Sequence, residues 1–203
     1  MDDTRLSRRR LLELGLALPP LAGLAGATEL FGATEMALAA TPQIADADDL
    51  TPELTEGPYF KPRSPLRRSI LYAGAPGRRL TLAGRVLTTS GRPVRHALVD
   101  FWQADARGAY DNSGFRFRGH QFTDVRGRYT VFSVVPGIYP GRTRHIHVKV
   151  QAPGERILTT QLFFPGVARN HTDKIYDPDC LIRGWRLVRG RRLGRFDFVL
   201  DLS

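Results

Sequence analysis

Pro-Gly pairs at Pro136-Gly137, Pro153-Gly154 and Pro165-Gly166 cut the C-terminal half of this sequence into pieces too short for ordinary helices. What lies between them is apolar-rich and alternating: "GRYTVFSVV" (127–135), "HIHVKVQ" (145–151) and "LTTQLFF" (158–164). Upstream, "RLTLAGRVL" (79–87) and "RHALVDFWQAD" (95–105) read the same way, and "RRLGRFDFVLDL" (191–202) closes the chain. No segment shows a sustained 3.6-residue apolar period. Short strands separated by turn residues define an all-β chain, and we expect a β-sandwich over residues 79–203. Residues 40–78 carry many prolines and little pattern. They are expected to form an extended arm, packed on the sandwich or joining a partner, the second case giving a homo-oligomer.

The formal net charge is +10, and nearly all of the positive charge is arginine, since lysine occurs only at Lys61, Lys149 and Lys174. The arginines are scattered, with no basic patch interleaved with aromatics. That argues against a nucleic-acid partner and suits an anionic small molecule or an acidic surface. Residues 1–39 read as an address. Arg8-Arg9 follow Ser7, Leu11-Leu12 come next, and a mildly apolar run reaches Ala27, which looks like a twin-arginine export signal. Small-residue cleavage points occur at Ala25-Gly26-Ala27 and Ala37-Leu38-Ala39. Glu13 and Pro19-Pro20 make the run a poor membrane span. The expectation is export to the periplasm or beyond, without stable membrane insertion. One cysteine, Cys180, rules out an intrachain disulfide. Its neighbours Asp177 and Asp179 favour a partly buried, inert thiol over a nucleophile.

Strand 145–151 carries the chemistry. Successive side chains of a strand point to opposite faces, so Ile146, Val148 and Val150 face a core while His145, His147 and Lys149 project together from the other side. Two such imidazoles can share a metal ion, or can be ordinary polar residues of a half-exposed strand. A tetrahedral zinc site would need more histidine, cysteine or carboxylate, and His96, His120 and His171 do not repeat the spacing. Tyr139 ends the preceding loop, and a phenolate is a hard donor suited to a hard, highly charged ion. Two tyrosinates and two imidazoles would leave Fe(III) with a single positive charge and an open position.

Four motifs occur in order: "LTPELTEGPYF" (50–60), "GRPVRHALVDFWQADARGAYDN" (91–112), "FRGHQFTDVRGRYTVFSVVPGIYPGRTRHIHVKV" (117–150) and "LTTQLFFPG" (158–166). Together they resemble the intradiol ring-cleavage dioxygenases of the protocatechuate 3,4-dioxygenase type, over roughly residues 50 to 175. The resemblance implies a non-haem Fe(III) cofactor held by Tyr110, Tyr139, His145 and His147. It implies that a catecholic substrate reacts with O2, and that the ring opens between its two hydroxyl-bearing carbons to give a muconate-type diacid. Tyr139 is then a ligand that takes a substrate proton, and Arg142 stabilises negative charge developing on the ring. Gln161 is a supporting glutamine, and Tyr59 falls at a substrate-pocket position. Arg144 departs from the family's small residue or proline directly before the first histidine; strand alternation points it away from the imidazoles. His96 and His120 are expected to be structural or exposed.

The same layout of "TDVRGRY" and "PGIY" also fits non-catalytic transthyretin-like or collagen-adhesin B-type sandwich modules. In these Asp124 and Gly127 shape a turn and Tyr129 packs. Such a module has no need of the His-x-His strand or of Arg142.

Overall fold

The structure, a computed structural model, describes residues 50–202. The export-signal expectation on residues 1–39, and the first part of the arm, lie outside them. The described residues form nine strands: β1 (Arg79–Thr88), β2 (Leu98–Trp102), β3 (Arg118–Phe122), β4 (Arg128–Val134), β5 (His145–Gln151), β6 (Ile157–Phe163), β7 (Arg183–Val188), β8 (Arg191–Arg195) and β9 (Phe198–Leu200). One sheet runs β4-β1-β8-β7, with β9 continuing alongside β1. The other runs β3-β2-β5-β6 and is antiparallel throughout.

The apolar faces meet in one core. Leu80, Leu82 and Val86 of β1, Val99 and Phe101 of β2, and Ile146, Val148 and Val150 of β5 all belong to it. Each such side chain contributes about 1.5–3 kcal/mol by leaving water. Tyr129 packs in the same core and donates its hydroxyl proton to the Phe196 carbonyl (2.8 Å). Burial of the 146/148/150 face fixes the register of β5, because a one-residue slip would drive both histidines into the core.

Two strands are absent from the pattern of apolar runs. β3, "RGHQF", buries Arg118 and Gln121 rather than aliphatic residues. β7 is an edge strand with five of its six residues exposed, so burial imposes no alternation on it. The C-terminal run also splits. Between β8 and β9 the Asp197 carboxylate takes the ladder bond from the Arg85 amide (2.8 Å). Gly84 stands against the Phe196 carbonyl, where a Cβ would overlap the backbone.

The arm is a strap. Leu54 donates to Thr159 of β6 (2.8 Å), one edge of the second sheet. The chain then crosses the outer face, where Phe60 sits edge-on to Trp102 at 5.0 Å and Glu56 pairs with Lys149. It reaches the opposite edge at Leu66, bridged to His120 of β3, and goes on to β4 at Ser69 and Ile70. Both edges of the second sheet are thereby covered, and β3 is tied to β4 of the other sheet.

Candidate active site

The face that alternation leaves polar is not exposed. Beneath the strap, His145 and His147 are buried, at 4% and 2% exposure. His147 lies between cross-strand neighbours Trp102 on β2 and Gln161 on β6. The Trp102 ring stacks on its imidazole at 4.8 Å, nearly parallel. Gly57 of the strap approaches from above, with φ at +69° and room for a Cβ only 3.3 Å from His147 Cε1.

Two loops bring the tyrosines. The loop after β2 is held on either side of Tyr110 by carboxylates acting on backbone amides. Asp105 accepts from Arg107 and Ala109 (2.8 and 2.9 Å), and Asp111 from Gly114 and Arg116 (2.7 and 2.9 Å). Those backbone bonds hold the Asp111 carboxyl at about 2. The loop after β4 carries Tyr139 and is tied to the first by the Gly137 amide donating to the Asp105 carbonyl (2.7 Å). The Tyr59 ring of the strap stacks on Tyr110 at 4.5 Å, and its hydroxyl shares a 2.8 Å hydrogen bond with that of Tyr139. Arg142 follows in the same loop.

The sequence-derived residues Tyr59, Tyr110, Tyr139, Arg142, His145, His147 and Gln161 thus share one cluster. Three donor atoms converge within it. Nε2 of His145 lies 3.1 Å from Nε2 of His147 and 3.2 Å from the Tyr110 hydroxyl. The Tyr139 hydroxyl bonds that of Tyr59, and its ring stands edge-on to Tyr110 at 5.9 Å. Arg144 lines a separate cavity with Phe164 and Trp185, away from the imidazoles. His96 is exposed and stacks on Phe122, while His120 bonds Ser64 of the strap. Cys180 is buried, and burial pushes its thiol up to about 11.

Two further residues, Asp173 and Arg118, complete the cluster. Asp173, with a side chain only 1% exposed, pairs with Arg142 Nε at 2.9 Å and accepts from the Thr143 amide at 2.6 Å. Arg142 Nη2 donates to Gln161 Oε1 (2.6 Å), and Gln161 Nε2 donates to the Thr55 carbonyl of the strap (2.7 Å). Arg118, buried on β3, donates to the Asp111 carbonyl (3.1 Å) and the Tyr59 carbonyl (2.6 Å), pinning both tyrosine segments. Asp173 stands 31 positions beyond Arg142, and no local pattern marks the pair.

The donor set fits a metal ion. His145 Nδ1 donates to the Thr143 carbonyl (2.7 Å), which fixes its proton there and leaves a lone pair on Nε2. His147 Nδ1 is buried with no hydrogen-bond partner. Two donors each about 2.1 Å from one ion, at near right angles, lie about 3.0 Å apart. The observed separations of 3.1 and 3.2 Å match that requirement. Burial lowers the His145 pKa to about 4, with Arg142 adding to the effect, and burial lowers that of His147 well below its ordinary value. Both imidazoles are therefore neutral and able to ligate. Burial raises the Tyr110 phenol, so its phenolate requires a cation beside it. Among the described residues no three histidine, cysteine or carboxylate side chains gather; the oxygen donors on offer are phenols, which favour a hard trivalent ion.

Sheet, strap and cluster define a β-sandwich whose covered face presents two imidazoles and the Tyr110 phenol to one point. Comparison with known proteins says which group of sandwiches this is. Residues 55–201 match a family model described as Dioxygenase. The protocatechuate 3,4-dioxygenase beta chain of Burkholderia cepacia is 34% identical over 152 residues, covering 64% of this chain and 62% of that protein. Catechol 1,2-dioxygenase 2 of Acinetobacter lwoffii is 35% identical over 142 residues, covering 57% and 52%. Among solved structures, the dioxygenase domain of a dioxygenase–carbohydrate-binding protein fusion from Streptomyces sp. SirexAA-E is 55% identical. It aligns with a TM-score of 0.74, covering 76% of this chain and all of that one. The chain belongs to the intradiol ring-cleavage dioxygenase family. Its matches span 62% and 52% of the length of those two curated relatives.

Proposed function

We propose that this protein is a non-haem Fe(III) dioxygenase that uses O2 to cleave a catechol-type ring between its hydroxyl-bearing carbons, giving a muconate-type diacid. The observation that carries the reading is the approach of His145 Nε2 to His147 Nε2 and to Tyr110 Oη, at 3.1 and 3.2 Å, with the Tyr139 ring edge-on to that of Tyr110 at 5.9 Å. Tyr110, Tyr139, His145 and His147 would hold the iron, which when bound supplies the Lewis acidity and redox chemistry that let a catechol react with O2.

The protein's own groups do the rest. Starting as the phenolate that would hold the iron, Tyr139 Oη would take a proton from an incoming catechol hydroxyl and become a neutral phenol, steadied by its hydrogen bond with Tyr59 Oη. Tyr59 also offers a ring beside the substrate. Arg142 presents a planar guanidinium cation. Asp173 and Gln161 hold its guanidinium beside the histidines, where it opposes negative charge developing on the ring. Trp102 and the strap exclude water from His147. A net charge of +10 favours an acidic catechol.

A non-catalytic sandwich module gives no account of a buried pair of neutral imidazoles facing a phenol. Oxygen uptake by iron-loaded protein across a panel of catechols, with product spectra, tests the proposal. Uptake with formation of a ring-opened diacid is expected; iron-loaded protein inert toward every catechol would overturn it. We further propose twin-arginine export, on the strength of Ser7-Arg8-Arg9 and the apolar run behind them. Changing Arg8-Arg9 to lysines is expected to hold the protein in the cytoplasm, and unchanged export would contradict this.

A further inference from the structure

A cavity of about 530 Å³ opens at the end of the sandwich where β1 begins and β4 and β6 leave. Its walls include Arg78, Arg144 and Arg192 and no acidic side chain. Among the described residues none of these three guanidinium groups takes part in an ion pair. Nε of Arg144 is buried and has no hydrogen-bond partner. The Arg144 side chain is half-buried, and drawing a guanidinium partly out of water without a partner carries a cost that an anion in the cavity would offset. The lining is also aromatic. Arg192 lies over the Trp185 ring at 5.4 Å, and Trp185 meets Phe164 edge-on at 5.2 Å.

Arginines and rings set two requirements. The arginines call for an anion, and a guanidinium matches the paired oxygens of a carboxylate. The rings call for a flat apolar frame. The cavity also borders the catalytic cluster without sharing any of its donors. Ala106 and Pro136 line it, and they stand at the roots of the loops that carry Tyr110 and Tyr139, while Arg144 directly precedes His145. We propose that this cavity is a second binding site, for a small aromatic or conjugated carboxylate, whose occupancy braces the roots of both tyrosine loops. The assignment rests on the arginines and rings of this cavity and stands independently of the ring-cleavage chemistry.

The chain has two tryptophans. Trp185 lines this cavity and Trp102 lies against His147, so intrinsic fluorescence reports on it directly. Benzoate is the probe and benzamide its neutral counterpart, titrated into the full-length, iron-loaded protein with calorimetry in parallel. Saturable benzoate binding is expected, with quenching that is lost in Trp185→Phe. Arg144→Gln and Arg78→Gln should each weaken it at least about tenfold, with Arg144→Lys falling between Arg144→Gln and wild type, because it keeps the charge and loses the paired contact. Binding that is equally strong in both glutamine variants would overturn the proposal, because benzoate would then be held elsewhere, such as at the catalytic cluster. Absence of saturable binding to the wild-type protein, equal binding of benzamide, or displacement of benzoate by inorganic phosphate at matched concentration would overturn it as well.

Discussion

Individual side chains in this protein are placed by partners far away in sequence. Asp173 shows this best: it orients Arg142 and caps the Thr143 amide at once. Replacing Asp173 with Asn removes the charge pairing while keeping the shape. We expect kcat/KM for ring cleavage to fall about ten- to a hundredfold, or about 1.4–3 kcal/mol, with iron content unchanged. A variant with unaltered kinetics would show that Arg142 needs no such support. A pH dependence follows from His145. In the metal-free protein burial lowers its pKa from 6.5 to about 4, so within that window the unfolded chain binds a proton that the folded chain refuses. Stability is complete above that window and declines as pH falls through it, by up to about 3 kcal/mol from this residue alone. Urea midpoints of chelator-treated protein should therefore drop between neutral and mildly acidic pH, and His145→Gln should remove part of the slope. Pair formation between Arg142 and Asp173 could not be read from the sequence, because "HTDK" carries no pattern that sets its aspartate apart from a surface residue. Tyr110, Tyr139, His145, His147, Arg142 and Gln161 were legible only as a joint motif; singly, each is an ordinary turn or strand residue.

At the scale of elements, alternation made β5 legible to the residue, since its inner face is aliphatic and its burial complete. β3 and β7 escaped for opposite reasons. β3 is buried largely through polar side chains and the strap, and β7 is hardly buried at all. The strap itself was visible as an extended arm, but its effect was not: it turns what looked like a half-exposed face into a buried one. Its close approach at Gly57 is testable. A Val there meets both a positive φ and the His147 ring. Gly57→Val should lift the strap off the imidazoles and lower iron affinity at least about tenfold, read as iron retained after dialysis against a chelator. Retention equal to wild type would mean that the strap is dispensable for the cluster.

For the whole molecule, one apolar core supports both the sandwich and the cluster, since the two faces of β5 belong to the two. Leu82→Ala, far from the histidines, should cost about 2–5 kcal/mol of stability in a denaturant titration while leaving the visible spectrum of folded, iron-loaded protein unchanged. A changed spectrum in the folded variant would mean that core and cluster are coupled more tightly than strand geometry implies. The most direct measurement is the visible absorption of the protein loaded with ferric iron. Phenolate coordination predicts a red-brown charge-transfer band that is lost together with bound iron in Tyr110→Phe and His147→Ala. A wild-type protein that binds no iron and stays colourless, or a Tyr110→Phe variant that keeps both colour and iron, would contradict the account.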